Sequence, residues 1–247
     1  MRLKIILFNE KNFEFTIHYN HSLQSLIYNN LSSPFGKRLH QQGFSYEKRT
    51  FKLFTFSRLF GDIQIYRETS QIKIGKKIYF YVSSPLKDFI QNLTENLLKK
   101  SEIKLGNHPL TIESIEILPK PAIKSPLTIK MLSPVTVRST LTTPDGKKKS
   151  YFYNPKEKEF QKLIKENLKK KYSVLTGEKV KDFPFSIKSS GRTKEVIGKF
   201  KGIIVKGYIG KFVLQGDLFF LEIAYDCGIG EKNSGGFGCF EIIEKKA

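Results

Sequence analysis

The segment Gly228-Ile-Gly-Glu-Lys-Asn-Ser-Gly-Gly-Phe-Gly238 lies between a predicted helix, Leu218 to Tyr225, and a predicted strand, Phe237 to Ile243. This order excludes a dinucleotide-binding loop, whose glycines lie between a strand and the helix that follows it. The segment also lacks the Gly-Lys-Ser/Thr ending of a nucleotide-binding P-loop. Glycines let backbone N–H groups and the neighbouring Lys232 approach a phosphate chain closely. A tight helix–strand connection or a flexible hairpin would use the same residues, so the pattern leaves both uses open.

The first half of the chain has an apolar pattern that predicts strand, helix, two or more strands, helix and strand. Arg2 to Ile17 alternates as strands do, and Ser22 is a candidate N-cap for the first helix. Strand patterns recur between Phe51 and Val82, with glycines as punctuation. Ser84-Pro85 then opens an amphipathic helix, and Ile112 to Leu118 closes the unit as a strand. This order is that of a ferredoxin-like βαββαβ domain.

A second round of the same elements begins after Pro119-Lys-Pro121, a stretch poor in regular structure signals. Leu127 to Arg138 is predicted as strand, Asn154-Pro155 as the cap of a long helix, and Asp217 as the cap of the last helix. We therefore expect an α+β protein of two tandem ferredoxin-like, RRM-like domains. We place them at residues 1–120 and 121–247.

The charge balance favours a polyanionic partner, because 43 Lys and Arg residues face 23 Asp and Glu, for a formal charge of +20. Nucleic acid is the leading candidate, and an anionic membrane surface is the alternative. No apolar run approaches the roughly 20 residues that a membrane span needs, so we expect a cytoplasmic protein without membrane attachment. Two cysteines and four dispersed histidines give no metal-ligand spacing, and we expect neither a metal nor a cofactor.

His40 is the leading catalytic candidate among the histidines. It lies near the end of a short helix predicted from Ser33-Pro34 to Gly43, one position beyond the apolar Phe35/Leu39 stripe, which suggests partial exposure. Cleavage of RNA by its own 2′-hydroxyl requires a base, an acid and a cation, which histidine, tyrosine and lysine can supply. The helpers considered are Tyr28 on the preceding helix and the residues that follow Gly43, namely Tyr46, Lys48 and Lys52.

Basic residues are dense between Lys179 and Lys211, where a strand-like alternation could align several cations along one surface. Each phosphate neutralised there would add salt-sensitive affinity. A solvated face without a function is the alternative. The candidates for RNA contact in this stretch are Lys188, Arg192, Lys199 and Lys201.

Three motifs carry a resemblance to a known family. Leu39-His40-Gln-Gln-Gly43-Phe44, then Phe51-Lys-Leu-Phe-Thr-Phe-Ser-Arg-Leu59, and then the glycine-rich segment occur in an order and spacing that resemble the CRISPR-associated endoribonucleases of the RAMP superfamily. The resemblance covers almost the full length. It implies the tandem ferredoxin-like fold and metal-independent cleavage of precursor CRISPR RNA within its repeats. The implied products are a 2′,3′-cyclic phosphate or 3′-phosphate and a 5′-hydroxyl.

The same resemblance assigns residue roles. His40 matches the catalytic histidine and Tyr28 the tyrosine on the first helix, with Lys48 for charge stabilisation and Tyr46 as its alternative. The glycine-rich segment is implied to hold RNA, through Gly228, Gly230, Lys232, Asn233, Ser234, Gly235, Gly236 and Gly238. The partners implied are repeat RNA and proteins of a CRISPR effector complex, and a homodimer is left open. A non-catalytic RNA-binding subunit of such a complex is the alternative function.

Overall fold

A computed structural model of the protein describes residues 1–180 and 182–243. In its N-terminal half the strands are β1 (Arg2–Phe8), β2 (Phe13–Thr16), β3 (Phe44–Tyr46), β4 (Arg49–Phe51), β5 (Thr55–Phe56), β6 (Phe60–Tyr66), β7 (Gln71–Ser83), β8 (Glu102–Leu105) and β9 (His108–Leu118). The helices of this half are α1 (Asn20–Asn29), α2 (Ser33–Gln41) and α3 (Lys87–Leu98).

The N-terminal sheet is antiparallel, with β1 paired between β7 and β9, and β6 paired on the other side of β7. Its core lies between the sheet and the apolar faces of α1 and α3, where Leu3, Ile5, Leu23, Ile27 and Phe89 are fully buried. The alternation along β1 and the helical spacing along α1 and α3 turn these residues toward one another. The order β6-β7-β1-β9 is that of a ferredoxin-like sheet.

The C-terminal half repeats this order. Its strands are β10 (Leu127–Met131), β11 (Arg138–Thr142), β12 (Lys148–Phe152), β13 (Phe185–Ser189), β14 (Lys194–Phe200), β15 (Ile203–Ile209), β16 (Lys211–Gly216) and β17 (Phe240–Ile242), and its helices are α4 (Lys158–Thr176) and α5 (Leu218–Cys227). The sheet order is β13-β16-β10-β17. Two hairpins, β11–β12 and β14–β15, are insertions outside this sheet. The protein is therefore an α+β chain of two tandem ferredoxin-like folds, as the sequence predicted.

Several predicted boundaries were wrong. The first helix begins at Asn20, so Ser22 lies inside it instead of capping it. The long helix begins at Lys158 after Glu157, and Asn154-Pro155 lies before it. Asp217 does cap α5, and its Oδ1 accepts a hydrogen bond from the Phe219 N–H at 2.9 Å. Both cysteines are buried free thiols. No helix within the described residues is both long enough and apolar enough to cross a membrane.

Arg2 joins the two halves through a buried guanidinium. This side chain is 3% exposed, and its Nε donates to Ser83 Oγ at 2.6 Å. Its other nitrogens donate to backbone carbonyls of the C-terminal half, Phe240 O at 2.8 Å and Tyr225 O at 3.2 Å. The guanidinium carbon also lies 3.9 Å from the centre of the Tyr225 ring, a cation–π contact. The charge therefore sits at the contact between the sheets with most of its donors satisfied.

Replacing Arg2 with Met should lower the free energy of unfolding by about 3 kcal/mol, because three buried acceptors lose their donor. Lys4→Ala is the matched control on the same strand, since the Lys4–Glu116 ion pair at 3.1 Å is partly exposed. That change should cost less than about 1 kcal/mol. Urea denaturation of the two variants measures the difference, and equal losses would contradict the role of Arg2.

Candidate functional site

The glycine segment, defined as Gly228–Gly238, is a buried connection between α5 and β17. All five of its glycines are buried, and only residues 231–234 are partly exposed. Gly238 accepts a hydrogen bond from Ile229 N at 2.9 Å and donates one to Pro134 O at 2.9 Å, so the segment folds back on itself. A single 3-10 turn, Asn233–Gly235, forms its outer edge. The surface it offers to a ligand is therefore this edge, which includes Lys232, Asn233 and Ser234.

Lys171 of α4, in the C-terminal half, binds the glycine segment through hydrogen bonds. Its side chain is 2% exposed, and its ammonium donates to Gly228 O at 2.7 Å and to Asn233 Oδ1 at 2.8 Å. The amide nitrogen of Asn233 in turn donates to Ile229 O at 3.1 Å and Phe237 O at 3.0 Å. Burial lowers the pKa of Lys171 to about 8. Both ends of the segment are thus tied to one ammonium and one amide.

The N-terminal half holds the same segment through side chains of α1 and β5. Asn20 Nδ2 donates to Gly235 O at 2.9 Å, and Gln24 Nε2 donates to Ser234 O at 2.6 Å. The hydroxyl of Thr55 donates to Phe237 O at 3.0 Å. The segment is therefore shared by both folds, and the turn Asn233–Gly235 is placed directly against α1.

Close packing explains why two of these positions are glycine. Gly238 has φ +77°, a conformation that other residues rarely adopt, and a Cβ there would overlap the carbonyl oxygen of Ile229. Gly230 has φ +72°, and a Cβ there would lie 2.5 Å from Thr136 O. Tight backbone packing, as in a helix–strand connection, thus accounts for these glycines without a ligand.

His40 and Tyr28 meet at the end of α2. Their rings make an edge-to-face contact with centroids 5.1 Å apart. His40 is exposed, whereas Tyr28 is half-buried and also packs on Phe54 with centroids 5.7 Å apart. Burial raises the pKa of the Tyr28 phenol well above its usual range. Tyr28 therefore stays a hydroxyl donor near neutral pH, and the imidazole is the group of this pair that can accept a proton.

Lys52 is the cation beside His40. Its ammonium donates to the carbonyl oxygen of His40 at 2.7 Å, and burial lowers its pKa. The β3–β4 hairpin folds the chain back on itself and brings position 52 next to position 40. Lys48 is exposed in the turn of that hairpin, and Tyr46 is half-buried on β3. The family resemblance favoured Lys48, with Tyr46 as its alternative, over Lys52, which was also a candidate. The proximity of Lys52 to His40 depends on the hairpin register, which was not predicted from the sequence.

A cleft of about 440 Å³ contains His40 and Tyr28, and we call it the histidine cleft. Other side chains in its wall include His21, Gln24, Lys37 and Lys201, whereas neither Tyr46 nor Lys48 is among the described residues that line it. Lys201 comes from the C-terminal half, at the tip of the β14–β15 hairpin, where it has φ +50°. The cleft thus combines one histidine–tyrosine pair with cations from both halves.

The β14–β15 hairpin is anchored to the N-terminal half near its tip. The backbone N–H of Lys199 donates to His18 Nδ1 at 3.2 Å, and the Phe200 ring lies 6.3 Å from the rings of His21 and Phe237. Lys201 and Lys199 are therefore close to the histidine cleft. Arg192 is exposed just before β14, at the opposite end of the hairpin and roughly 23 Å from its tip for a seven-residue strand. Lys188 is exposed on β13 of the C-terminal sheet. Within the described chain, no three histidine, cysteine or carboxylate side chains are grouped as metal ligands would be.

The fold and this site define a protein of two ferredoxin-like folds. Both folds contact the buried glycine segment between α5 and β17, and the histidine cleft lies beside it. The family model for "CRISPR associated protein Cas6, C-terminal" matches residues 118–242, and that for "CRISPR-associated protein Cas6, N-terminal" matches residues 14–116. The chain belongs to the Cas6 family of CRISPR-associated proteins.

Relatives agree with this assignment. The chain is 36% identical over 236 residues to CRISPR-associated endoribonuclease Cas6 1 of Methanocaldococcus jannaschii, covering 93% of this chain and 89% of that protein. It is 31% identical to CRISPR-associated endoribonuclease Cas6 of Pyrococcus furiosus, covering 100% and 91%. A solved structure of a CRISPR associated protein Cas6 superimposes with a TM-score of 0.81 at 32% identity, covering 99% of each chain.

Gly238→Ala should disrupt the glycine segment for two reasons. The new methyl group would have to displace the Ile229 carbonyl, and the alanine would have to adopt a left-handed backbone conformation. We expect a loss of unfolding free energy of at least about 3 kcal/mol. Gly146→Ala is the matched control, since Gly146 also has φ +77° but a Cβ there meets no atom within 4 Å. It should cost about 1 kcal/mol. Equal losses in thermal unfolding of the two variants would show that the segment is not sterically fixed.

Proposed function

We propose that this protein is an endoribonuclease that cuts precursor CRISPR RNA within its repeats and needs no metal ion. The observation that carries the proposal is the His40–Tyr28 ring pair in a cleft lined by cations from both halves, with the Lys52 ammonium bonded to the backbone carbonyl of His40. The Methanocaldococcus and Pyrococcus relatives are both named as CRISPR-associated endoribonucleases, which supports the proposal. The net charge of +20 favours binding of a polyanion such as RNA.

The proposed reaction uses the 2′-hydroxyl of the RNA as the nucleophile. His40 accepts the proton of that hydroxyl as the 2′-oxygen bonds to the adjacent phosphorus, and the bond from phosphorus to the 5′-oxygen breaks. The protonated His40 then returns a proton to the 5′-oxygen, which leaves a 2′,3′-cyclic phosphate and a 5′-hydroxyl and restores the neutral imidazole. Lys52 offsets the charge that develops on the phosphate oxygens, and the Tyr28 hydroxyl is available as a hydrogen-bond donor.

RNA contact is proposed for the exposed parts of both halves. Lys201 and Lys199 flank the histidine cleft, and Lys232, Asn233 and Ser234 form the exposed edge of the glycine segment. The glycines themselves support this edge from inside. Arg192, just before β14, and Lys188, on β13, lie farther from the histidine cleft, where they would contact RNA beyond the cut site. We therefore propose that the N-terminal half performs the cleavage while the C-terminal half holds the RNA.

The decisive experiment is incubation of the protein with a repeat RNA in EDTA, with the product ends mapped. The intact RNA should be cut, and one lacking the 2′-hydroxyl upstream of the cut should bind but remain whole. His40→Ala should slow cleavage by roughly 10²- to 10⁴-fold, as expected for a lost acid–base group, with little change in affinity. Cleavage of the deoxy substrate would contradict the reaction scheme. Tight binding without any cleavage would instead support a non-catalytic RNA-binding subunit.

Lys52 and Lys48 can be separated as the charge-stabilising residue. Lys52→Met should lower the single-turnover rate at saturating RNA by about 10²-fold, because a donor to the developing charge is removed. Lys48→Met removes the same charge from an exposed turn of the same hairpin and should change the rate by less than about threefold. The reverse ranking of the two variants would restore Lys48 to the role that its spacing suggested.

A further inference from the structure

A second cleft, of about 600 Å³, adjoins the outer edge of the glycine segment. Its walls are α4, the β3–β4 hairpin, the start of β11 and residues 231–234. Its volume lies within the range of roughly 300–1,000 Å³ that is typical of small-molecule sites. We call it the arginine cleft, after Arg49 and Arg138 on opposite hairpins. None of its polar residues except Lys52 and the segment edge has a part in the reaction proposed above.

The charge in the arginine cleft is strongly unbalanced. The cations that line it are Arg49, Lys52, Arg138, Lys171 and Lys232, and Glu231 is the single carboxylate among the described lining residues. Glu231 lies 3.4 Å from Arg49 Nη1 and 3.5 Å from Arg138 Nε, so one carboxylate is shared by two guanidinium groups. Burial and the nearby Arg138 lower the pKa of Lys232. A phosphate entering this cleft would relieve the repulsion between its cations.

Two buried polar atoms in this cleft have no hydrogen-bond partner. The described part of the chain contains three such side-chain atoms, and two of them, Arg138 Nε and Asn167 Oδ1, belong to residues lining the arginine cleft. Asn167 is only 7% exposed. Lys171 lies one helical turn further along α4, but its ammonium donates to Gly228 O and Asn233 Oδ1 instead. A buried acceptor left unpaired costs about 1–3 kcal/mol, which a ligand with a suitable donor would recover.

We propose that the arginine cleft is a nucleotide subsite for the RNA, which rests on the proposed function and deepens it. Arg49 and Arg138 hold a phosphate, and Asn167 Oδ1 accepts a hydrogen bond from a donor on the nucleotide, either an exocyclic amino group or a 2′-hydroxyl. The half-buried Phe51 provides an aromatic wall for the base. Lys52 lines this cleft while donating to His40 O, so the nucleotide held here is a near neighbour of the scissile phosphate.

The test measures binding alone, in the full chain carrying His40→Ala so that the RNA survives. The probes are repeat RNAs that each lack one exocyclic amino group or one 2′-hydroxyl, and their dissociation constants are compared with that of the unmodified repeat. One modification should weaken binding by about 10-fold. Adding Asn167→Leu should abolish that difference, because the acceptor is gone. The class of modification that matters identifies the donor.

Three controls separate recognition from folding. Asn167→Leu removes an unpaired buried acceptor at similar volume, so its melting temperature should not fall. Asn167→Asp keeps an acceptor and should retain the sensitivity to the same modification. Lys162 is exposed on the same helix outside the cleft, so Lys162→Gln should leave the profile, meaning the set of dissociation constants for the modified RNAs, unchanged. An unaltered profile with Asn167→Leu, or no sensitive position at all, overturns the subsite alone. Failure of every RNA to bind overturns the proposed function together with it.

Discussion

The arrangement of the site depends on the hydrogen bonds that the buried ammonium of Lys171 donates to the glycine segment. A cation that is 2% exposed is costly unless it is fully engaged, and here burial lowers its pKa to about 8. Its acceptors Gly228 O and Asn233 Oδ1 lie at the start and in the middle of the glycine segment. Because Asn233 also donates to Ile229 and Phe237, fixing one ammonium fixes the path of the whole segment. Lys171 therefore holds the start and the middle of the segment directly, and the amide of Asn233 extends this hold to Phe237 near its end.

That fixed path has consequences for both halves of the molecule. The turn at Asn233–Gly235 presses against α1, where Asn20 and Gln24 donate to it, and α1 also carries Tyr28. The position of the tyrosine beside His40 is therefore linked to the C-terminal half through a few hydrogen bonds. Arg2 adds a second buried tie at the contact of the sheets. Two folds that each have their own core are thus held in one relative position.

The fold could be predicted from sequence because periodicity reports burial, and both βαββαβ rounds have strong apolar stripes. Predictions failed where a local signal was overruled by packing. Gly75 is one of the glycines expected to separate strands between Phe51 and Val82, but it lies inside β7, where the Asp62 side chain leaves no room for a Cβ. Only part of the candidate site could be predicted from the sequence, for a related reason. His40 and Tyr28 follow from local spacing, whereas the contact of Lys52 with His40 depends on the β3–β4 register, and Lys201 reaches the cleft from far along the chain.

The glycine segment shows how one sequence feature can serve both of its competing interpretations. Its glycines are explained by steric limits at Gly238 and Gly230, so their presence alone says nothing about a ligand. Its polar residues lie instead at the edge, between the histidine cleft and the arginine cleft, with Ser234 bonded to α1 and Lys232 in the second cleft. A backbone this tightly held can present Lys232 and Ser234 to a phosphate chain with little further loss of conformational entropy, which is the physical advantage of preorganisation. Burial of the glycines is therefore compatible with the proposed contact of this edge with RNA.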